Sequence, residues 1–489
     1  MKNRNVKVNV IMNALLTMSS FIFPLITFPY VSRILLPVGT GKVSFATSLV
    51  SYFTMISQLG IPTYGIRACA KVRDNKMELS RITHELLFIN FTMSILSYLL
   101  LIAAIVFVPR LREERALYIV VGSTIILTAI GMEWLYKALE QYTYITIRSI
   151  IFKFISLIAM FFLVQAKEDY VVYGGITIFA SSASNILNFI NAHKYIEFKY
   201  IGGYNLKRHL KPVSIFFAMS CATTIYTHLD TVMLGFMAGD EDVGYYNAAV
   251  RIKTILVSIV TSLGAVLLPR ASYYIQHGLI DEFKRISAKA LNFVFLIASP
   301  LMVYFVCFAK EGIFFLSGDA YFGSILPMQI IMPTLLFIGI SNLTGIQILV
   351  PQGKEIIVLY SEILGAAVDI LLNILLIPRF ASAGAAVGTL VAEFVVVVFQ
   401  YIQIRHDMKQ AFDSIHYVRI IGCIVISSIS ACCIKLLNLN VFFTLILSAC
   451  VYFLIYGLLL IYKREPLICE LYEQIKNRIL NSLAKIASK

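Results

Sequence analysis

The sequence predicts an all-α polytopic membrane protein of about fourteen transmembrane helices, arranged as two pseudo-symmetric six-helix lobes followed by two C-terminal helices. Three observations carry this. Of the 489 residues, 59% are apolar and only 14% charged, whereas soluble domains hold about 45–50% and about 25%; the mean hydropathy is +0.82. Uncharged runs long enough to cross a bilayer recur along the chain, and lysine and arginine are shared unequally between alternate connections.

A span needs roughly 20 apolar residues, about 30 Å at 1.5 Å per residue. Uncharged runs cover 8–32, 43–66, 86–109, 116–132, 170–192, 212–229, 254–269, 290–309, 420–434 and 436–462. The first, 25 residues long behind Lys2, Arg4 and Lys7, is too long for a cleaved signal core and no small-residue cleavage site follows, so it is expected to remain as a span. Four further spans carry charges or bends: 144–166 with Lys153, 320–353 bent at Pro327 or Pro333, 355–377 with Glu362 and Asp369, and 384–404 with Glu393.

With both termini inside, inside segments hold 29 of the 41 Lys and Arg, outside loops hold 9, and Lys153, Arg251 and Lys253 fall within or at the edges of spans. The net charge of +14 is thus mainly a topology signal, and nucleic acid is not needed to explain it. Cys221, Cys307, Cys432, Cys433 and Cys450 lie in apolar runs and read as packing residues, not as a disulfide frame or metal site. The outside connections are short, the longest running from 230 to 253, which leaves no room for an external catalytic domain of a glycan polymerase or ligase. Inside loops lack a Gly-rich phosphate cradle, so the chain is not its own ATPase. No catalytic residue, metal site or cofactor is expected.

An internal repeat sets the domains. Gly41–Ala46 aligns with Gly244–Ala249, Leu59-Gly60 with Leu263-Gly264, and Arg67-Ala68 with Arg270-Ala271, at offsets of 203 or 204. Six spans separate the copies, so both enter the membrane from the same side, as in parallel repeats related by an axis along the membrane normal. The expected lobes are 1–205 (spans 1–6) and 206–408 (spans 7–12), followed by spans 13–14 at 409–462. At 463–489 lies a cytoplasmic amphipathic tail with Leu467, Leu471, Ile475, Ile479 and Leu483 on one face.

Several stretches resemble a known family. Pro29-Tyr-Val-Ser-Arg33-Ile-Leu-Leu-Pro-Val-Gly39-Thr-Gly41-Lys-Val-Ser-Phe-Ala46 is similar to the span 1–2 signature of Wzx-type polysaccharide flippases. Leu229–Gly235, Val243–Ala249, Trp134–Glu140 and Ile377–Thr389 are similar to the same family, within the multidrug/oligosaccharidyl-lipid/polysaccharide exporter superfamily. The resemblance implies a V-shaped, two-lobe fold like that of the drug/cation antiporters. It also implies movement of an undecaprenyl-diphosphate-linked oligosaccharide from the cytoplasmic to the outer leaflet of the bacterial inner membrane.

An ionisable side chain within a span costs about 2.5–3.5 kcal/mol on insertion scales and usually faces a cavity or a partner. Arg33, Arg251 and Lys253 lie at outer span ends, against the positive-inside trend; Arg67 and Arg270 occupy repeat-equivalent inner ends; Lys153 sits two turns into span 5. Together they are the candidate cationic cavity, because guanidinium and ammonium groups suit a diphosphate; head-group snorkelling is the alternative reading. Asp230, Glu362, Asp369 and Glu393 are candidates for charge pairing, Asp230 with Arg251 or Lys253, or for coupling to a proton or sodium gradient or the membrane potential. Glu362 and Asp369 are seven apart on one helical face, with Asn373 four further on. His228 reads as a polar packing residue, and Lys137 is expected to pair locally with Glu133 and Glu140. Pro24 and Pro29 should bend or loosen the first helix and suit a gate.

The expected function is therefore lipid-linked oligosaccharide translocation by alternating access, by a monomer surrounded by membrane lipids and working beside polysaccharide polymerase or assembly proteins. A drug or cation antiporter would instead present a mainly acidic cavity. A glycan polymerase or a non-transporting scaffold fits the short loops or the intramembrane charges less well.

Overall fold

The computed structural model describes residues 6–469 and Glu473; most of the expected amphipathic tail lies outside the described residues. Among the described residues all regular structure is helical. The main helices are α1 (Val6–Gln58), α2 (Ile61–Lys71), α3 (Lys76–Phe107), α4 (Arg115–Gly131), α5 (Tyr142–Leu163), α6 (Tyr170–Ile178), α7 (Lys207–Met237), α8 (Asp240–Gln276), α9 (Ile280–Cys307), α10 (Glu355–Asp413), α11 (Tyr417–Cys432) and α12 (Val441–Tyr462). Large apolar side chains such as Phe107, Ile119, Phe162, Ile429 and Leu454 are exposed, which hydrocarbon tolerates and water would not.

By length and apolarity, nine helices among the described residues qualify as spans, or up to eleven when each bent pair counts as one. This is fewer than the expected fourteen, partly because two helices are too long to be single spans. At 1.5 Å per residue, the 53 residues of α1 and the 59 of α10 would each reach about 80–90 Å, more than twice the hydrocarbon thickness. Each is interrupted. Helix α1 leaves helical geometry at Leu36 (φ 57°, ψ 179°), the residue before Pro37, where the proline ring disfavours the α conformation. Helix α10 does so at Ala381 (φ 48°, ψ −125°). The Gln400 amide donates to the Ser361 hydroxyl at 2.9 Å, and Asn373 meets Gly388, so the two arms of α10 run antiparallel.

The non-helical break in α1 does not fall at Pro24 or Pro29. Both lie inside the helix without interrupting its φ/ψ; Leu36-Pro37 is where it breaks. In the 320–353 stretch, Asp319–Ile331 and Thr334–Leu349 meet at a 47° bend, at Pro333, one of the two prolines expected to cause it. The repeat positions behave alike in one respect. Leu59 and Gly60 have positive φ between α1 and α2, while α8 bends by 41° between Ser262 and Leu267, the stretch that holds Leu263-Gly264.

Contacts divide the chain into two compact units, Met1–Asn247 and Ala248–Lys489. In the first, α1 packs on α3, α4, α5 and α7, and α2 on α3 and α7. Packing therefore groups α7 with the first unit, unlike the division at 205/206 that the repeat suggests. One core there joins Ile61, Leu79, Leu86, Trp134, Leu135 and Val213. In the second unit α9 packs on α10 and α11, and α11 on α12, around Phe283, Leu291, Val294, Ile404, Met408 and Leu460.

Polar pairs check the alternation of sides. In the first unit Arg73 meets Glu140 at 2.8 Å, Lys76 meets Glu197 at 3.4 Å and Arg208 meets Glu78 at 3.2 Å, all between segments assigned to the inside. At the opposite end Lys42 pairs with Glu114 and Arg110 with Asp240, all from outside loops. In the second unit the inside segments meet through Arg419–Glu465 at 3.1 Å and the Asn292 amide donating to Glu465 at 3.0 Å. The outside ones meet through Lys435–Glu311 at 3.0 Å. Each of these long-range pairs thus joins segments that the same alternation places together.

Candidate functional site

The basic end of the first unit is built from α2, α3 and the start of α7. Asn75 caps α3, its side chain accepting from the Glu78 amide at 3.1 Å, with Glu78 in the first turn where the helix dipole favours an acid. Glu78, Arg81 and Glu85 follow at i, i+3 and i+7, hence on one face. That face receives the 196–209 segment. Arg81 Nε donates to the Gly202 carbonyl at 3.2 Å, and the Asn205 amide donates to Glu85 Oε1 at 2.6 Å.

Glu85 is fully buried and compensated on all sides. Arg208 donates through Nη2 at 2.6 Å and through Nε at 3.0 Å, and His209 Nε2 lies 2.6 Å away. His209 Nδ1 in turn lies 2.8 Å from the Tyr64 hydroxyl. His209 thus bridges the Tyr64 hydroxyl and the Glu85 carboxylate through its two ring nitrogens. Burial works against the Arg208 charge, but its hydrogen bonds and attraction to Glu85 and Glu78 raise its pKa overall above the ordinary arginine value.

Beside this network lies a cavity of about 370 Å³ lined by, among others, Tyr64, Arg67, Lys71, Arg208, His209 and Phe216. Gly60 lets α7 come this close: a Cβ there would lie 2.5 Å from the Phe217 amide nitrogen. Arg67 and Lys71 sit one turn apart on α2, exposed, and make no ion pair among the described residues. Of the expected cationic residues, Arg67 is the one that lines this cavity.

The others are placed differently. Arg33 is exposed and its guanidinium donates back to the Pro29 carbonyl of its own helix at 2.5 Å. Lys153 is half-buried and donates to the Ser19 and Ser20 hydroxyls, both at 2.9 Å, which solvates its ammonium within the helix layer. In the second unit Arg251 and Lys253 are half-buried on α8, and Arg270 is exposed near its end.

Asp230 is buried on α7 and accepts from the buried Tyr246 hydroxyl. His228 packs as expected, its Nδ1 lying 3.3 Å from the Ser48 hydroxyl. On α10, Glu362 is half-buried while Asp369, Asn373 and Glu393 are buried. Asp369 and Asn373 face Gly388 on the second arm, where a Cβ would lie 2.9 and 2.6 Å from their Oδ1 atoms. The expected local pairing around Lys137 holds for Glu133, at 2.8 Å, but Glu140 turns to Arg73 instead. The reason is that Glu140 follows the end of its helix with φ 56°, off the face that Lys137 occupies.

Glu85, Arg208, His209, Tyr64 and Lys71 were not among the residues singled out from the sequence. The available signal was the Glu78/Arg81/Glu85 face; the partner segment could not be read, because Arg208 lies 123 positions from Glu85.

The exposed apolar helices and the ion pairs at their ends define a polytopic helical membrane protein with a basic cavity. Comparison with known proteins agrees. A family model described as polysaccharide biosynthesis protein matches residues 6–275, and a MatE model matches 216–375. The chain is 25% identical over 408 residues to the putative O-antigen transporter of Escherichia coli K12, covering 82% of this chain and 96% of that one. It is 26% identical over 403 residues to the putative O-antigen transporter of Shigella dysenteriae, covering 80% and 98%. The lipid II flippase MurJ in an inward closed conformation matches with a TM-score of 0.71 at 15% identity, over 93% of this chain and 99% of that one. An inward-facing multidrug resistance MATE transporter matches at 0.62 and 12% identity, over 82% and 99%. The chain belongs to the polysaccharide biosynthesis protein family, within the exporter superfamily that its sequence motifs resemble.

Proposed function

We propose that the protein flips undecaprenyl-diphosphate-linked oligosaccharide across the bacterial inner membrane by alternating access, with both termini and the basic end cytoplasmic. The observation that carries this reading is the near-complete coverage of the two O-antigen transporter relatives, 96% and 98% of their lengths. Arg33, Arg67, Lys153, Arg251, Lys253 and Arg270 would supply positive charge suited to a diphosphate. Asp230, Glu362, Asp369 and Glu393 are the carboxylates through which a proton or sodium gradient, or the membrane potential, would drive the cycle, with no cofactor. A monomer suffices, next to the polymerase that consumes the glycan.

In a strain lacking the protein, lipid-linked oligosaccharide should accumulate on the cytoplasmic leaflet and surface glycan should disappear. Arg33→Ala or Arg251→Ala, expressed at wild-type level, should restore about a tenth of the surface glycan or less, given about 1.5–3 kcal/mol for a charge-assisted contact. Export at the wild-type rate by both variants would sink the cationic path. A second reading, a cation or drug antiporter, is favoured by the MatE match and the α10 carboxylates. It requires normal surface glycan together with new sensitivity to cationic drugs.

A further inference from the structure

We propose that the cavity at the basic end of the first unit binds the phosphate groups of a lipid-borne ligand, with Arg67 and Lys71 as the anion-holding pair and Arg208 as a fixed donor behind them. The proposal deepens the flippase reading by placing a cytoplasmic loading site for the diphosphate, and it rests on that reading for the identity of the ligand.

Charge comes first. Among the described residues lining this cavity there is no carboxylate. Arg208 is balanced by Glu85 and Glu78, and His209 is occupied between Tyr64 and Glu85. Arg67 and Lys71 are left with two positive charges and no acidic partner among the described residues, on one face of α2 at a spacing that brings their ends together. Two positive charges match the two negative charges of a diphosphate esterified at both ends.

Shape and surroundings agree with that match. At about 370 Å³ the cavity lies within the range of small-ligand sites. Phe216 and its apolar neighbours close one side of it, lowering the local dielectric and strengthening ion–phosphate attraction. The carboxylate network holds Arg208 in a single orientation, so its position is set before a ligand arrives. A basic pair that only snorkelled to head groups would need neither a cavity nor an oriented third cation. A bilayer phospholipid offers the same phosphate chemistry, so the test must separate the two sources.

The full-length protein, purified in detergent, is titrated with inorganic pyrophosphate at constant ionic strength, and its retained phospholipid is read by native mass spectrometry. Wild type should bind pyrophosphate. Arg67→Gln alone should weaken binding and the Arg67→Gln/Lys71→Gln double variant should weaken it at least tenfold, with unliganded melting unchanged because both side chains are exposed. Arg285→Gln, an exposed arginine paired with Glu282, should bind as wild type does. If pyrophosphate fails to bind but wild type retains phosphatidylglycerol that the double variant loses, the phosphate site stands and its ligand is a bilayer head group. If the double variant equals wild type in both measurements, or wild type shows neither, the proposal is overturned. The deletion phenotype tests transport without reference to this cavity, so either result can fail alone.

Discussion

Replacing Gly41 by alanine should lower the stability of the protein by about 3 kcal/mol, the upper end of overpacking costs. An alanine Cβ at 41 would lie 1.7 Å from the Asp240 carbonyl oxygen and 2.9 Å from the Gly244 amide nitrogen. These are backbone atoms at the start of α8, so no rotamer change relieves the clash and the helix itself must move. Gly244→Ala should act in the same way, since its Cβ would lie 2.1 Å from the Pro37 carbonyl oxygen. Movement of α8 also disturbs the Arg110 pair with Asp240 and the stacking of the Arg110 guanidinium over Phe45 at 4.6 Å. Melting of the purified variants in detergent measures this. Gly422→Ala is the matched control: nothing lies within 4 Å of its Cβ position, and alanine in a helix should raise stability by about 0.5–1 kcal/mol. Wild-type melting of Gly41→Ala would show that the two backbones are not in contact in the folded protein.

Glu85→Ala should cost a similar amount, about 3 kcal/mol, because removing one partner of a buried pair leaves the other uncompensated. Arg208 and His209 would both lose their acceptor, as would the Asn205 amide. Arg208 retains 36% side-chain exposure and its contact with Glu78, which holds the loss at the lower end of the range for buried pairs. Glu85→Gln keeps an acceptor for Asn205 and should fall between wild type and alanine. Hydrogen exchange over 196–206 should rise in both variants, alanine more than glutamine, since Glu85 ties that segment to α3. Unchanged exchange in Glu85→Ala would show that the carboxylate does not hold the segment.

These two sites differ in how far the sequence revealed them. Gly41 and Gly244 stand out as a repeat pair, but the alignment gives no hint that they lie against each other's neighbourhood, Gly41 on Asp240 and Gly244, Gly244 on Pro37. Glu85 directly precedes an uncharged run, where it reads as an ordinary membrane-boundary acid. Its complete burial follows only from the arrival of Asn205, Arg208 and His209. Arg67 was singled out by its repeat position, whereas Lys71, one turn away and equally placed for an anion, was counted only in the tally of basic residues. Pro24 and Pro29 drew attention as prolines within a span. The non-helical break falls at Leu36, where the ring of the following Pro37 disfavours the α conformation.

The sequence alone determined that this is a many-span helical membrane protein, which connections share a side, that 320–353 bends at a proline, and which exporter superfamily it resembles. Those properties arise between the chain and the bilayer, a solvent that sorts residues by polarity segment by segment, so composition and order suffice to read them. Only the tertiary structure decided that α7 packs with the first unit, that Glu140 leaves Lys137 for Arg73, and that Glu85 anchors the wall of a basic cavity. Such contacts depend on the rotation and offset of helices far apart in sequence, which are set by packing across whole faces and leave no periodic mark on either segment.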